Sequence, residues 1–300
     1  MIYSVMHRTT VKYASPVTLA RFNVRLKPAP WLGQILLDYG LTVDPLPWTI
    51  QQESGPWIVN RSRLTIRDPL TSLVIESRFR MEVISPAYGQ ATELAPTVGE
   101  VRDQVLVHRD LTAAGPASYL YASSMAPASP EIAAWARPHF VPETSVLAAG
   151  LALMNAIHRE FVYDDKATEA DTAPAAAFAQ KRGVCQDFAH VMIVAARAHG
   201  VPAAYVSGYL RTLPPPGKPR LVGADATHAW VVLWCGAALG WIGFDPTNDC
   251  LVQTDHIFTA MGRDYADVAP LDGVFRGGGG QAMTVAVDVA PEGEVLPLAG

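Results

Sequence analysis

At 300 residues, half of them apolar, the chain is long enough for two domains with buried cores. A net charge of -5 with no basic run excludes electrostatic attraction to nucleic acid or to an anionic membrane. No stretch is long enough to span a bilayer, Met1 leads straight into strand-like residues, and the three cysteines are widely spaced, so a soluble cytoplasmic protein in a reducing compartment is expected.

In chain order, residues 1–85 read as an antiparallel β domain. Its expected strands are Ile2–Tyr13, Val17–Lys27, Leu36–Val43, Trp57–Ile66 and Leu73–Val83, separated by Pro- and Gly-rich turns. The arginines at alternate strand positions, among them Arg21, Arg63 and Arg78, fit a solvated sheet face or a surface for an acidic partner. Residues 86–142 lose the alternation and read as a helical connector held on the next domain by Tyr119, Leu120, Tyr121, Trp135 and Phe140. Residues 143–300 form a third unit. It starts with a helix over Ser145–Glu160 capped by Thr144 or Ser145, then a short extended piece, Phe161–Asp164. A second helix, Pro174–Arg182, takes Asp171 or Thr172 as its cap and Gly183 as its stop.

Gly183-Val184-Cys185 then delivers a thiol to the first turn of a helix, whose apolar face is Phe188, Val191, Met192, Ala195 and Ala198 and whose stop is Gly200 and Pro202. A helix start favours thiolate over thiol, and the thiolate is the nucleophile. A base and a residue to orient it are found in a predicted hairpin, Thr227–Trp234 against Trp241–Pro246. A turn centred on Gly236 and Ala237 sets His228 directly opposite Asp245. Tyr163 reads either as a packed aromatic or as a donor to an oxyanion, for which the Cys185 N–H is the other donor. Trp230, Trp234 and Trp241 share the parity of His228 and wall the site or fill the core. Asp187 and His190 supply charge or metal ligands beside the thiol, or else serve the helix start and a buried partner. No closely spaced ligand pair completes a zinc site. His158, Cys235 and Cys250 read as structural, and Arg211–Arg220 as a proline-rich loop bordering the cleft. The Gly277–Gly280 run leads into a last strand, Ala282–Val289, and lacks the setting of a dinucleotide fingerprint.

Gly-Val-Cys-Gln-Asp-Phe-Ala-His at 183–190, Thr-His-Ala-Trp at 227–230 and Gly-Phe-Asp-Pro-Thr-Asn at 243–248 resemble the bacterial transglutaminase-like family, cysteine-nucleophile enzymes of the papain-like superfamily. Residues 206–210 and 262–270 match further family segments, and the amino-terminal part is similar to the β-rich domain that precedes the family core. The resemblance implies an α+β fold in which a helix bearing the Cys packs on an antiparallel sheet bearing His and Asp. It implies Cys185 as nucleophile, His228 as base and Asp245 as its orienter; Tyr163, Gln186 and Trp230 are read from the residues themselves as substrate-side candidates. The implied reaction is acyl transfer from an amide of a protein or peptide through a thioester, resolved by water or by an amine, with no metal or organic cofactor. No acidic cluster suggests a calcium switch. Two other classes remain: a peptide-binding or scaffolding protein on the same fold, and a zinc-dependent hydrolase.

Overall fold

The computed structural model describes residues 1–86, 95–212 and 226–293. Its α+β architecture consists of a seven-stranded antiparallel sheet assembly and a five-stranded antiparallel sheet that carries the helices. The first is built on one strand. β1 (Ile2–Val24) buries alternate side chains along 23 residues, where two shorter strands were expected. Its first half lies between β5 (Leu70–Val83) and β14 (Gln281–Pro291), and its second half between β4 (Asn60–Ile66) and β13 (Leu271–Arg276). Pro16 sits in the register break between Lys12 and Val17, where the missing N–H costs no ladder bond. β2 (Gln34–Asp44) pairs with β5.

Two expectations are corrected here. β3 (Thr49–Ser54) pairs with β4 although no strand was expected there. It is a polar edge strand that buries nothing fully, so it carries no apolar alternation to read. Residues 271–291 belong to the β domain rather than to the unit of residues 143–300, because β13 and β14 both pair with β1.

The second sheet runs in the order β11 (Cys250–Leu251), β10 (Trp241–Asp245), β9 (Ala226–Trp234), β8 (Ala203–Leu210) and β12 (His256–Gly262). Against β8 and β9 packs α5 (Cys185–Ala198), buried continuously from Asp187 to Arg197. A helix buried all round must partner its polar residues. Arg197 does so by donating to the carbonyls of Tyr119, Ala203 and Arg263. Helix α3 (Val146–Glu160) packs on α5 and β10, where Gly150 leaves room for the Phe244 ring. In the connector, α1 (Val98–Val107) starts with a reciprocal Thr97–Glu100 cap and α2 (Pro130–Ala136) packs on α5. Tyr119 and Phe140 are buried as expected, whereas Tyr121 is exposed.

β12 is an edge strand of this sheet, and the β domain closes it. Ala29 N–H donates to Thr259, Met261 N–H donates to Ile58, and Trp31 stacks on Phe258 with centroids 4.5 Å apart. Farther along, His7 of β1 meets the Tyr209 hydroxyl of β8 at 3.0 Å within an apolar cluster shared by both sheets.

Candidate active site

The thiol is delivered by a short clamp. Helix α4 (Pro174–Gln180) has Ala173 as its cap and Pro174 at its first position, so Asp171 and Thr172 are not the cap. It is stopped by Lys181 in the left-handed region at φ 52°, before Gly183 is reached. β7 (Arg182–Gly183) then pairs in parallel with β6 (Val162–Tyr163), Val184 is extended, and Cys185 opens α5. Asp187 reaches back, its Oδ2 accepting from the Val184 N–H at 2.8 Å and from the Thr168 hydroxyl at 2.6 Å. A Cβ on Gly183 would lie 2.5 Å from that oxygen, so the approach requires glycine. The Cys185 N–H, at the first helical position, has no intrahelical acceptor and sits at the positive end of the helix.

In the hairpin the observed ladder runs from Trp234↔Trp241 to Val231↔Phe244. This corrects the expected register by two residues: extended one step, it sets Asp245 beside Trp230 rather than opposite His228. The turn is centred between Ala237 and Ala238 rather than on Gly236 and Ala237, with Gly236 and Gly240 both at positive φ and Gly240 N–H donating to the Gly236 carbonyl. An even shift keeps every side chain on its face, so His228 still reaches Asp245, diagonally, with Nε2 2.8 Å from Oδ2. Cys185 lies close enough to the same imidazole to act on its charge, and with Nε2 held by Asp245 the nitrogen available to the sulfur is Nδ1. The structure thus brings Cys185, His228 and Asp245 together.

Asp245 is fully buried. Its Oδ2 accepts from His228, from His256 Nε2 at 3.0 Å and from Asn248 Nδ2 at 2.7 Å, and its Oδ1 from the N–H groups of Thr247 and Asn248. Burial pushes the carboxyl up, but the bonds from His228, His256 and Asn248 outweigh it and hold the group well below the usual carboxylate range. For His228, burial pulls the imidazole down, while Asp245 and Cys185 together lift it to about 10. A protonated imidazole and a helix start both place positive charge beside the Cys185 sulfur.

His256 was not anticipated. It lies 11 residues after Asp245 at the start of a mostly apolar strand, and no local spacing marks it. Gly208 faces His228 across β8 and β9 and leaves space for the Ile257 carbonyl of β12 and the Trp230 ring, since a Cβ there would come within 2.3 Å of the one and 2.4 Å of the other. Replacing Gly208 with Ala is expected to push β12 at Ile257 and the Trp230 ring away and to cost about 1–3 kcal/mol, read as a lower urea midpoint and a shifted tryptophan emission.

The remaining expected site residues are placed as follows. Tyr163 is 58% exposed at the rim, edge-on to Phe188; its hydroxyl is raised by partial burial and by the charge of Cys185. Gln186 commits its amide to the Ala170 carbonyl at 2.7 Å, bracing the loop before α4. Trp230 is only 2% exposed and lies behind the site, edge-on to His256 with ring centroids 5.3 Å apart. Trp234 packs on His108, and Trp241 donates to the Ala114 carbonyl. Behind Trp230 is a cavity of about 550 Å³ lined by Trp31, Trp230, Trp241 and Val252 among others; Cys185 does not line it. Of the Arg211–Arg220 loop, residues 213–220 lie outside the described residues.

Burial pushes the Cys235 thiol up to about 12 and Cys250 to about 11, the latter helped by Asp245. His190 Nε2 accepts the Tyr265 N–H, and Asp187 is held at the helix start, so neither joins Cys185 as a metal ligand in this arrangement. Ligand atoms of His228, Asp245 and His256 do lie within 4.8 Å of one another. Yet His256 Nδ1 accepts the Gln253 N–H, which puts its proton on Nε2 and makes that atom a donor to Asp245 rather than a metal ligand.

Comparison with known proteins agrees with this geometry. Residues 3–82 match the bacterial transglutaminase-like N-terminal region, and residues 133–246 match the transglutaminase-like superfamily. An uncharacterised protein of Mycobacterium tuberculosis is 35% identical over 303 residues, covering 98% of this chain and 94% of its own. One of Mycobacterium leprae is 30% identical over 295 residues, covering 95% and 97%. A protein-glutamine gamma-glutamyltransferase of Pseudomonas aeruginosa is 38% identical over 112 residues, which is 36% of this chain and 16% of that protein. Among solved structures, a putative cysteine protease from Cytophaga hutchinsonii shares the fold with a TM-score of 0.76, at 24% identity over 97% of this chain and 90% of that one. With both family regions present in order and relatives matched along nearly their whole length, the chain belongs to the bacterial transglutaminase-like family.

Proposed function

We propose that the protein is a cysteine-nucleophile acyl-transfer enzyme acting on an amide bond of a protein or peptide. The observation that carries this reading is the buried Asp245–His228 pair turned onto the thiol at the start of α5. Cys185 thiolate attacks the amide carbonyl carbon, and the oxygen that becomes negative faces the Cys185 N–H. The imidazolium Nδ1–H of His228 passes its proton to the leaving amine as the C–N bond breaks, leaving a thioester and a neutral imidazole. Water or an amine then attacks the thioester, His228 takes back a proton from it, and the thiolate departs. Water gives a peptidase or amidase and an amine gives a transamidase; the site uses the same residues for both. The mechanism places no cofactor in the cleft, and it needs a reduced thiol, consistent with three cysteines that are all free.

A module that only binds peptides has no need for a buried carboxylate with five donors behind an imidazole and a thiol. The deciding test is the pH dependence of Cys185 alkylation by iodoacetamide, read by mass spectrometry, with Cys250 as an internal control. At pH 6 a thiol with the ordinary pKa of about 8.5 is roughly 0.3% thiolate. Cys185 is expected to react on the order of a hundredfold faster than such a thiol, and the excess is expected to disappear in His228→Ala. A Cys185 that reacts no faster than a free thiol sinks the reading.

A further inference from the structure

The acyl transfer described above leaves one buried imidazole of the site without a part. His256 is 3% exposed, and both of its nitrogens are engaged. Nδ1 accepts the Gln253 N–H at 3.2 Å, so the proton is on Nε2, which donates to the same Asp245 oxygen that receives His228. The Trp230 ring meets it edge-on and fixes its plane. His256 is therefore a one-way donor that neither touches the sulfur nor exchanges a proton with it.

We propose that His256 is a positioning residue for the Cys185–His228 pair, and that the β domain supports it through Gln34; the proposal rests on the acyl-transfer reading. Asp245 has its other donors at Thr247 and Asn248, all on the β10 side. His256 is the donor from the opposite edge strand, and it holds Oδ2 out toward His228 against that pull. It also keeps the carboxylate a weak enough base that the proton stays on His228.

Gln34 enters from the start of β2. Its amide donates to the His256 carbonyl at 3.1 Å and accepts the Phe258 N–H at 3.1 Å, bonding one edge of β12 at two points as a neighbouring strand residue would. With Ala29 on Thr259 and Trp31 on Phe258, it fixes where β12 begins and so where His256 sits.

The test uses the full chain and needs no substrate. His256→Phe, His256→Gln and Gln34→Met are compared with wild type for thermal unfolding and for the pH profile of Cys185 alkylation by iodoacetamide. A loss of stability alone would not move that profile. In His256→Phe the carboxylate is expected to swing toward Thr247 and Asn248, and the midpoint of Cys185 reactivity to rise by about one pH unit, about tenfold slower reaction at pH 6. His256→Gln keeps an amide donor and is expected to recover at least half of that shift. Gln34→Met is expected to shift the midpoint in the same direction, with roughly threefold slower reaction at pH 6. A folded His256→Phe with the wild-type midpoint overturns the proposal, and an unchanged Gln34→Met overturns the part assigned to the β domain. If His256→Phe does not fold, unchanged profiles in the other two variants overturn it. A wild-type midpoint in the free-thiol range is a different result, and it removes the acyl-transfer reading itself.

Discussion

Asp245→Asn is expected to keep the fold and to abolish the enhanced reactivity of Cys185, lowering turnover of an amide substrate by on the order of 10⁴-fold, as the same tautomer change does in a Ser-His-Asp triad. Oδ1 of Asp245 accepts the Thr247 and Asn248 N–H groups, so the asparagine oxygen is drawn there and its NH₂ is left facing His228 and His256. His228 Nε2 must then accept, its proton moves to Nδ1, and the imidazole turns an N–H toward a thiol whose proton it can no longer take. Asp245→Ala is expected to do the same damage and to destabilise as well, by roughly 3–5 kcal/mol, because it leaves a buried imidazolium unpaired. The two variants separate by urea unfolding and converge in alkylation rate.

Stability is expected to peak near pH 6.5 and to fall on both sides for different reasons. His7 and His190 are each pulled down to about 4 by burial, so both are neutral when folded and charged when unfolded below their ordinary 6.5. As pH falls from 6.5 to 4 the unfolded chain binds the extra protons, and each residue withdraws roughly 3 kcal/mol. Protonated His190 would also turn an N–H against the Tyr265 N–H that Nε2 now accepts. His228 acts in reverse. Its value is raised to about 10, so its stabilisation is complete below pH 6.5 and is lost as pH climbs toward 10. The check is the urea midpoint from pH 4 to 10. His7→Gln, which keeps a hydrogen-bonding side chain between Tyr209 and Thr9, should remove about one proton from the acid limb. An acid limb unchanged in His7→Gln would refute the assignment.

Much of the site was legible because its signals are local. A glycine before a cysteine, an apolar helical face after it and a glycine stop define α5, and the parity of His228 and Asp245 survived a register error because the error was even. The size of that error came from the turn, where Gly236 and Gly240 both carry positive φ and no two-residue signature exists. What stayed hidden is non-local. His256 matters through an oxygen that three side chains share, Gln186 turned out to brace a loop, and the cap of α4 is an alanine helped by a proline. The polar edge strand β3 and the return of residues 271–291 to the first sheet depend on pairings that no window of sequence contains.

That return has a bearing on how the chain acquires its structure. Along its two edges β1 takes partners from residues 60–83 and from residues 271–291. Pairing with β4 and β5 can follow soon after synthesis; pairing with β13 and β14 must wait until some 200 further residues have emerged. For that interval one edge of β1 is bare, while the segment carrying Cys185, His228 and Asp245 folds as an insertion within an unfinished sheet. Long-range closure of this kind is slow and leaves strand edges open to other chains. Pairing of β14, with Glu292 N–H on the Ile2 carbonyl just beyond it, is what covers that edge of β1.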